Sequence, residues 1–291
     1  MRTCQIIYWP PFRIAVWRGD ETGYDMAEST ISRAFLILDM LGEERSTISP
    51  EEIALALNTT RSTTYRYIKT LCDTGFLMQL SRGAYALGPR IVELERKIQL
   101  SDPLVNTSRP FMRDHAASFA NSTLLLCGLW GDRVLCLHQE AAPSTNGEPA
   151  IIQRARGIPF SLFKGAASLS ILASLPLAKR RAIYLQSGKE IEEAGLGDSW
   201  DAFRRTTRSL RDRGYVVTSG SFGSNLIAVA APILDADGAA LGSITRIAPI
   251  SQKSSESDFS ADVRAIVQNI QDALRHAFMD RSKSPPRRAR K

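Results

Sequence analysis

The sequence predicts an α+β chain of two domains, a small helical one followed by a larger mixed one. Three observations predict it. The 291 residues exceed one typical domain, and 44% apolar with 23% charged residues is enough to bury substantial cores. Residues 26–88 hold three short stretches with apolar residues at helical spacing, then two β-prone runs around Ser81-Arg82-Gly83. Beyond residue 101, strand-like runs joined at Gly131-Asp132 and Asp237-Gly238 alternate with amphipathic stretches, the pattern of antiparallel hairpins with helices packed on them.

Residues 1–25 match no periodic pattern and Met26 is followed at once by a helical segment, so 1–25 are expected to be a disordered N-terminal extension. After Ser29, Ile31, Ala34, Phe35, Leu38 and Leu41 recur at the spacing of one helix face. Ser49-Pro50-Glu51-Glu52 predicts the next helix start, with Ser as N-cap, Pro in the first turn and Glu three residues after the cap. Ile53, Ala54 and Leu57 give that helix a short apolar face.

The third helix lies in NTTRSTTYRYIKTL, capped by Thr59 or Thr60. Its spacing turns Thr64, Tyr67, Ile68 and Leu71 inward and Arg61, Ser62, Tyr65, Arg66 and Lys69 outward, and Gly75 can stop it. FLMQLSRGAYALG then reads as a hairpin. Helix, helix, turn, helix, hairpin is the order of a winged helix-turn-helix, whose third helix enters the major groove. Residues 89–101, PRIVELERKIQLS, read as a linker helix with Ile91, Leu94 and Ile98 on one face.

In the second domain, STLLLCGLWGDRVLCLHQE predicts a hairpin that sets Cys127 opposite Cys136. Such a pair is a redox switch or, more in keeping with a reducing compartment, two core-filling thiols. SLSILASLPLAKRRAIYL and WDAFRRTTRSLRDRG read as helices. YVVTSG and NLIAVAAPILDADGAALGSITRIAP read as strands, and SESDFSADVRAIVQNIQDALRHAFM as a closing amphipathic helix.

The net charge of +7 says less than its location, because five of those charges fall in residues 280–291. RSKSPPRRARK, with almost nothing to bury, is expected to be a basic disordered tail. Any nucleic-acid reading therefore rests on local placement of charge. No apolar run approaches the roughly 18 residues of a membrane helix. The start, MRTCQIIYWPPFRIAVW, is broken by Pro10-Pro11 and Arg13 and makes a poor signal peptide. A cytoplasmic protein without membrane contact is expected, which leaves the Asn58-Thr59-Thr60 sequon without meaning.

Cys4, Cys72, Cys127 and Cys136 show no metal-ligand spacing and His115, His138 and His276 are scattered, so neither metal nor cofactor is expected. Catalytic motifs of the GxSxG, HExxH, P-loop and GxGxxG types are missing, and the chain is expected not to be an enzyme.

Arg61, Ser62, Tyr65 and Arg66, near the start of the third helix, have the reach to contact base edges, where Arg bonds guanine bidentately. Thr60, Thr63, Lys69 and the wing-tip Arg82 suit phosphates, which set register without reading sequence. The same polar face on an isolated helix would simply be solvated.

STISRAFLILDML, RSTTYRYIKTLCDTGFL and AYALGPRIVEL in the first domain resemble the IclR family of transcriptional regulators. So do RGIPFSLFKGAASLSILASLP, RDRGYVVTSG and VAAPILDADGAALGSITRIAP in the second, the resemblance spanning roughly residues 28–278. It implies a winged helix-turn-helix at 26–88, the linker helix at 89–101 and a GAF-like effector-binding domain at 102–279. It further implies a homodimer or homotetramer that binds double-stranded DNA at palindromic operators under control of a small-molecule effector, often an organic or aromatic acid. The chain departs from the family pattern at Ser168-Leu169, where a Gly-Lys pair is usual, and at Asn225, where Gly is frequent.

By this resemblance Phe160, Phe163, Lys164, Gly165, Ala166 and Ala167 line an effector pocket with Leu226, Ala228, Thr245 and Ile247. Gly165-Ala166-Ala167 before a helix leaves backbone N–H groups open to an anion, or else permits close helix–sheet packing. Lys164 or Arg246 would pair a carboxylate, although Arg246 alternates with Thr245 and Ile247 along its strand. The alternatives are a ligand- or redox-sensing GAF-like module without specific DNA binding, and a small-molecule enzyme. A competitor-resistant shift of upstream DNA separates these from a regulator.

Overall fold

The computed structural model describes residues 30–42, 44–119, 121–141, 156–157, 159–220, 225–252 and 256–283. The expected extension at 1–25 and residues 284–291 of the expected tail lie outside these. The chain divides between Asp102 and Pro103 into two compact units.

The first unit begins with α1 (Thr30–Asp39), α2 (Pro50–Ala56) and α3 (Arg61–Asp73). A two-stranded hairpin follows, β1 (Leu77–Ser81) with β2 (Ala84–Leu87), and then α4 (Arg90–Ser101). The start of α2 is the expected capping box: the Ser49 hydroxyl accepts from the Glu52 amide, and the Ser49 amide donates to the Glu52 carboxylate at 2.7 Å. Between α2 and α3, Asn58 turns the chain at φ 46, a left-handed conformation that Asn tolerates better than most residues. Helix α3 ends in a Schellman turn. Gly75 sits at φ 76, and the Phe76 amide closes back on the Leu71 carbonyl at 2.8 Å. Gly88 follows the hairpin, where a Cβ would stand 2.2 Å from the Gly75 carbonyl oxygen, so only glycine fits. Ile48 and Tyr85 exchange both backbone hydrogen bonds and tie the entry to α2 onto the hairpin.

The core of this unit gathers Ile37, Leu41, Ile48, Ile53, Tyr67, Ile68, Leu71, Leu77 and Tyr85. One expected face is partly displaced. Ala34, Leu38 and Leu41 of the expected face do pack on the core, but Ile31 and Phe35 are 69% and 51% exposed, and the one fully buried residue of α1 is Ile37. Helix α1 carries apolar side chains on two sides, and spacing alone does not say which side turns inward. The linker helix likewise buries no residue completely; Val92, Ile98 and Leu100 are exposed.

The second unit consists of α5 (Pro103–Ala116), β3 (Thr123–Trp130), β4 (Arg133–Ala141), β5 (Pro159–Ser161), α6 (Ala166–Ser174), α7 (Leu177–Glu193), α8 (Trp200–Arg213), β6 (Val216–Ser219), β7 (Leu226–Leu234), β8 (Ala240–Pro249) and α9 (Glu256–Lys283). Its strands form one antiparallel sheet in the order β5-β4-β3-β8-β7-β6. The fold is α+β, as expected.

Helices cover both faces of the sheet, which is why β3 is apolar almost end to end rather than alternating. One face carries α5 and α9, with Phe259, Val263, Ile266, Ile270 and Leu274 of α9 forming a continuous apolar stripe. The other carries α6, backed by α8 and α7. Two helical readings are refined. SLSILASLPLAKRRAIYL is two helices, because Pro176 disfavours helical backbone at Leu175. Helix α5 has no clear periodic signal in sequence and contains Pro110. Helix α9 also continues to Lys283, into the first residues expected as tail, since extending an existing helix is cheap.

Candidate functional site

On α3 the division of faces is sharp. Thr64, Tyr67, Ile68 and Leu71 are buried, and each large apolar side chain contributes about 1.5–3 kcal/mol to holding the helix in place. Arg61, Ser62, Tyr65, Arg66 and Lys69 are exposed together on the outside, as is Arg82 at the hairpin tip. Arg61 lies over the Tyr65 ring at 5.8 Å and pairs with Glu51 of α2 at 3.4 Å. That pair is fully exposed and is worth little, so it leaves the guanidinium available to a stronger partner.

The two threonines expected to meet phosphates have different duties. The Thr60 hydroxyl caps α3, accepting from the Thr63 amide and donating to the Thr63 hydroxyl at 3.0 Å. Thr63, as acceptor of that bond, keeps its own proton to donate outward. Thr64 turns inward and donates to the Thr60 carbonyl.

In the second unit the ten residues expected to line a pocket separate into groups. Phe163, Gly165, Ala166, Ala167, Ala228, Thr245 and Ile247 are buried, Phe160 and Leu226 are half-buried, and the Lys164 side chain is exposed. Gly165 stands at the N-cap of α6 with φ 85 and supplies no capping side chain. The Ala167 carbonyl accepts from the Ser243 hydroxyl of β8 at 3.3 Å, so the small residues do seat α6 close on the sheet. Ser168 donates to the Ser161 carbonyl at 2.8 Å and fastens α6 to β5.

Arg246 is not on this face. It lies on the α9 side of the sheet, its guanidinium carbon 3.9 Å from the Phe119 ring centre and 4.0 Å from that of Phe259. It donates to Asp262 at 2.7 Å and to Ser122 at 3.2 Å. Burial lowers its pKa, with Asp262 pulling the other way. Arg246 rivets the sheet to Asp262, Ser122, Phe119 and Phe259, with its side chain already engaged.

What the α6 face offers instead is hydroxyl groups. Thr123, Ile247, Ala228 and Thr218 form one cross-strand row over β3, β8, β7 and β6, and Thr245 lies two residues from Ile247 on the same side. Among the described residues the buried hydroxyls of Thr123, Thr218 and Thr245 have no hydrogen-bond partner, nor has that of Ser170 on α6. Sequence reading named Thr245 alone; Thr123 and Thr218 look like ordinary strand formers until the register aligns them.

Cys127 and Cys136 are register partners, both buried and not joined by a disulfide. A hydrogen bond with Cys127 lowers the Cys136 pKa, against the effect of burial, with smaller help from the His138 carbonyl and Arg156. Among the described residues no cluster of His, Cys, Asp and Glu could hold a metal ion, and no helix is long and apolar enough to cross a membrane.

Residues 30–81 match the family model of the IclR helix-turn-helix domain. A curated relative from Halobacterium salinarum, described as a probable HTH-type transcriptional regulator, ArcR, is 25% identical over 246 residues, covering 84% of this chain and 92% of that one. Among solved structures, an IclR family transcriptional regulator from Brucella abortus aligns with a TM-score of 0.64 at 19% identity over 84% of this chain and 92% of that one. An IclR homolog from Microbacterium hydrocarbonoxydans, solved in complex with 4-hydroxybenzoate, gives 0.63 at 19% identity over 85% and 100%. The helix-turn-helix match falls on the unit whose third helix presents the basic face, and the curated relative aligns over most of the chain: residues 30–81 carry an IclR helix-turn-helix domain, and the chain is similar along most of its length to a transcriptional regulator.

Proposed function

We propose that the protein reads operator DNA with α3 and adjusts that reading to a small organic acid bound on the α6 face of the sheet. The observation that carries the DNA half is the exposed set Arg61, Ser62, Tyr65, Arg66 and Lys69 on a helix anchored by its opposite face. Arg66 and Arg61 would read base edges, while Lys69, Thr63 and Arg82 hold phosphates. The exposed apolar side chains of α1 and α4, among them Ile31, Phe35, Val92 and Ile98, support a homodimer or a homotetramer on a palindromic site. The protein works in the cytoplasm, and no catalytic step is part of this reading.

The ligand half rests on the unpartnered hydroxyls of Thr123, Thr218 and Thr245, set among Phe163, Ala228 and Ile247. An apolar surface with a few hydroxyls suits an aromatic acid, and the 4-hydroxybenzoate held by the Microbacterium homolog is of that class. Hydroxyls and the α6 amide groups, not a paired cation, would receive the carboxylate. A thermal-shift series with 4-hydroxybenzoate, benzoate and aliphatic acids tests this. At least one acid should raise Tm by several degrees and change affinity for a selected operator, and Thr245→Val should lose both effects. No response to any acid, or an undiminished one in Thr245→Val, would contradict the ligand assignment.

A further inference from the structure

One buried cation in the second unit has no counter-charge among the described residues. Arg180, in the first turn of α7, is only 6% exposed. Its Nη1 donates to the Thr207 hydroxyl on α8 at 2.7 Å. That hydroxyl in turn spends its proton on the Phe203 and Arg204 carbonyls at 2.9 and 3.2 Å, so the partner is neutral and fully engaged. The buried Nε of Arg180 makes no hydrogen bond among the described residues. Nε and Nη2 form the side-on edge by which a guanidinium grips a carboxylate or phosphate with two parallel bonds.

The charge that acts on Arg180 is another cation. Arg211 stands one turn beyond Thr207 on α8 and enters no ion pair among the described residues. Burial first, and Arg211 second, depress the pKa of Arg180. The Arg211 guanidinium extends toward the β7–β8 turn, its Nη2 4.0 Å from where a Cβ on Gly238 would stand. In that turn Asp235 has committed Oδ1 to the amides of Asp237 and Ala239. A buried guanidinium with a second cation one turn beyond its hydrogen-bond partner is costly in the absence of an anion, and one oxyanion reached by both answers both charges.

We propose that the α7–α8 layer holds an oxyanion site in which Arg180 offers its side-on edge and Arg211 closes over the ligand, which is a phosphate or a carboxylate group. This site is separate from the sheet face beneath α6 and does not depend on what binds there.

The test is thermal unfolding of the full-length protein in sodium chloride, sodium phosphate and sodium acetate, at matched pH and ionic strength. It compares the wild type with Arg180→Met and Arg211→Gln. Phosphate, acetate or both should raise the wild-type Tm by about 3 °C over chloride. A response to phosphate alone assigns the site to phosphoryl groups, and a response to acetate assigns it to carboxylates. Arg211→Gln should keep less than half of the shift without lowering Tm in chloride. Arg180→Met should lose the shift entirely, again with no loss of Tm in chloride, because it removes a buried cation. If Arg180→Met does not fold, Arg211→Gln decides by itself. The proposal is overturned if no anion stabilises the wild type, or if the variants respond as the wild type does, which would put the anion on another basic surface.

Discussion

Arg66, Lys69 and Arg246 are three cations whose roles differ only through what surrounds them. Arg66 and Lys69 are exposed and stand on the outer face of α3. Lys69→Ala should weaken DNA binding on every sequence alike and reduce the slope of log affinity against log salt by about one, since one phosphate contact is lost. A titration at several salt concentrations measures it. Arg246 holds its charge between two aromatic rings and one carboxylate. Arg246→Ala should cost about 2 kcal/mol of stability, because it leaves Phe119 and Phe259 without their filling and Asp262 without its partner. Denaturant unfolding reads this, and an unchanged midpoint would remove the rivet role. The alternation of β8 places Arg246 opposite Thr245 and Ile247, but which face carries the ligand is not written in that alternation. The packing of Phe119 and Phe259 shows only which face holds Arg246.

Among the elements, α2 and α3 were legible because cap, period and stop agree in each. Ser49, Pro50 and Glu52 start one helix, while Thr60, the Thr64–Leu71 face and Gly75 define the other. The capping box also makes a pH prediction. The Ser49 amide, then its hydroxyl, hold the Glu52 carboxyl below its ordinary value of 4.5, with Arg45 adding a little and slight burial opposing. A lowered carboxyl pKa contributes stability that is present above the unfolded value and is lost as pH falls through the folded one. Wild-type Tm should therefore fall below about pH 4.5 more steeply than that of Ser49→Ala, which should also be about 1 kcal/mol less stable at neutral pH. Parallel pH curves would contradict it. Gly88→Ala should be harsher, costing about 3 kcal/mol or more, because its Cβ meets the Gly75 carbonyl and has no room to move. Urea unfolding of the variant measures that.

Where sequence reading fell short, the missing information was tertiary. Ile31 and Phe35 have the same spacing as core residues, and only the packing of α1 shows that Ile37 is the one fully buried. Helix α5 is concealed by Pro110 and by the polar residues around it. The row Thr123–Ile247–Ala228–Thr218 joins four strands from distant parts of the chain, so no local pattern announces it. Arg180 sits within a run of basic residues that reads as a solvated helix face, and its burial comes from α8.

At the scale of the whole molecule, one unit carries a charged outer helix and the other carries polar groups buried without partners among the described residues. A regulator needs both: a surface that meets DNA, and an interior that a small molecule can satisfy. Wild-type protein and Arg66→Ala should be compared for binding to a duplex selected from random sequence by the wild type, with excess nonspecific competitor present. The account predicts that the wild type holds the duplex and that Arg66→Ala, with unchanged Tm, retains only weak, salt-sensitive binding that the competitor removes. Equal, competitor-resistant binding by both proteins would contradict the assignment of α3 as the element that reads DNA.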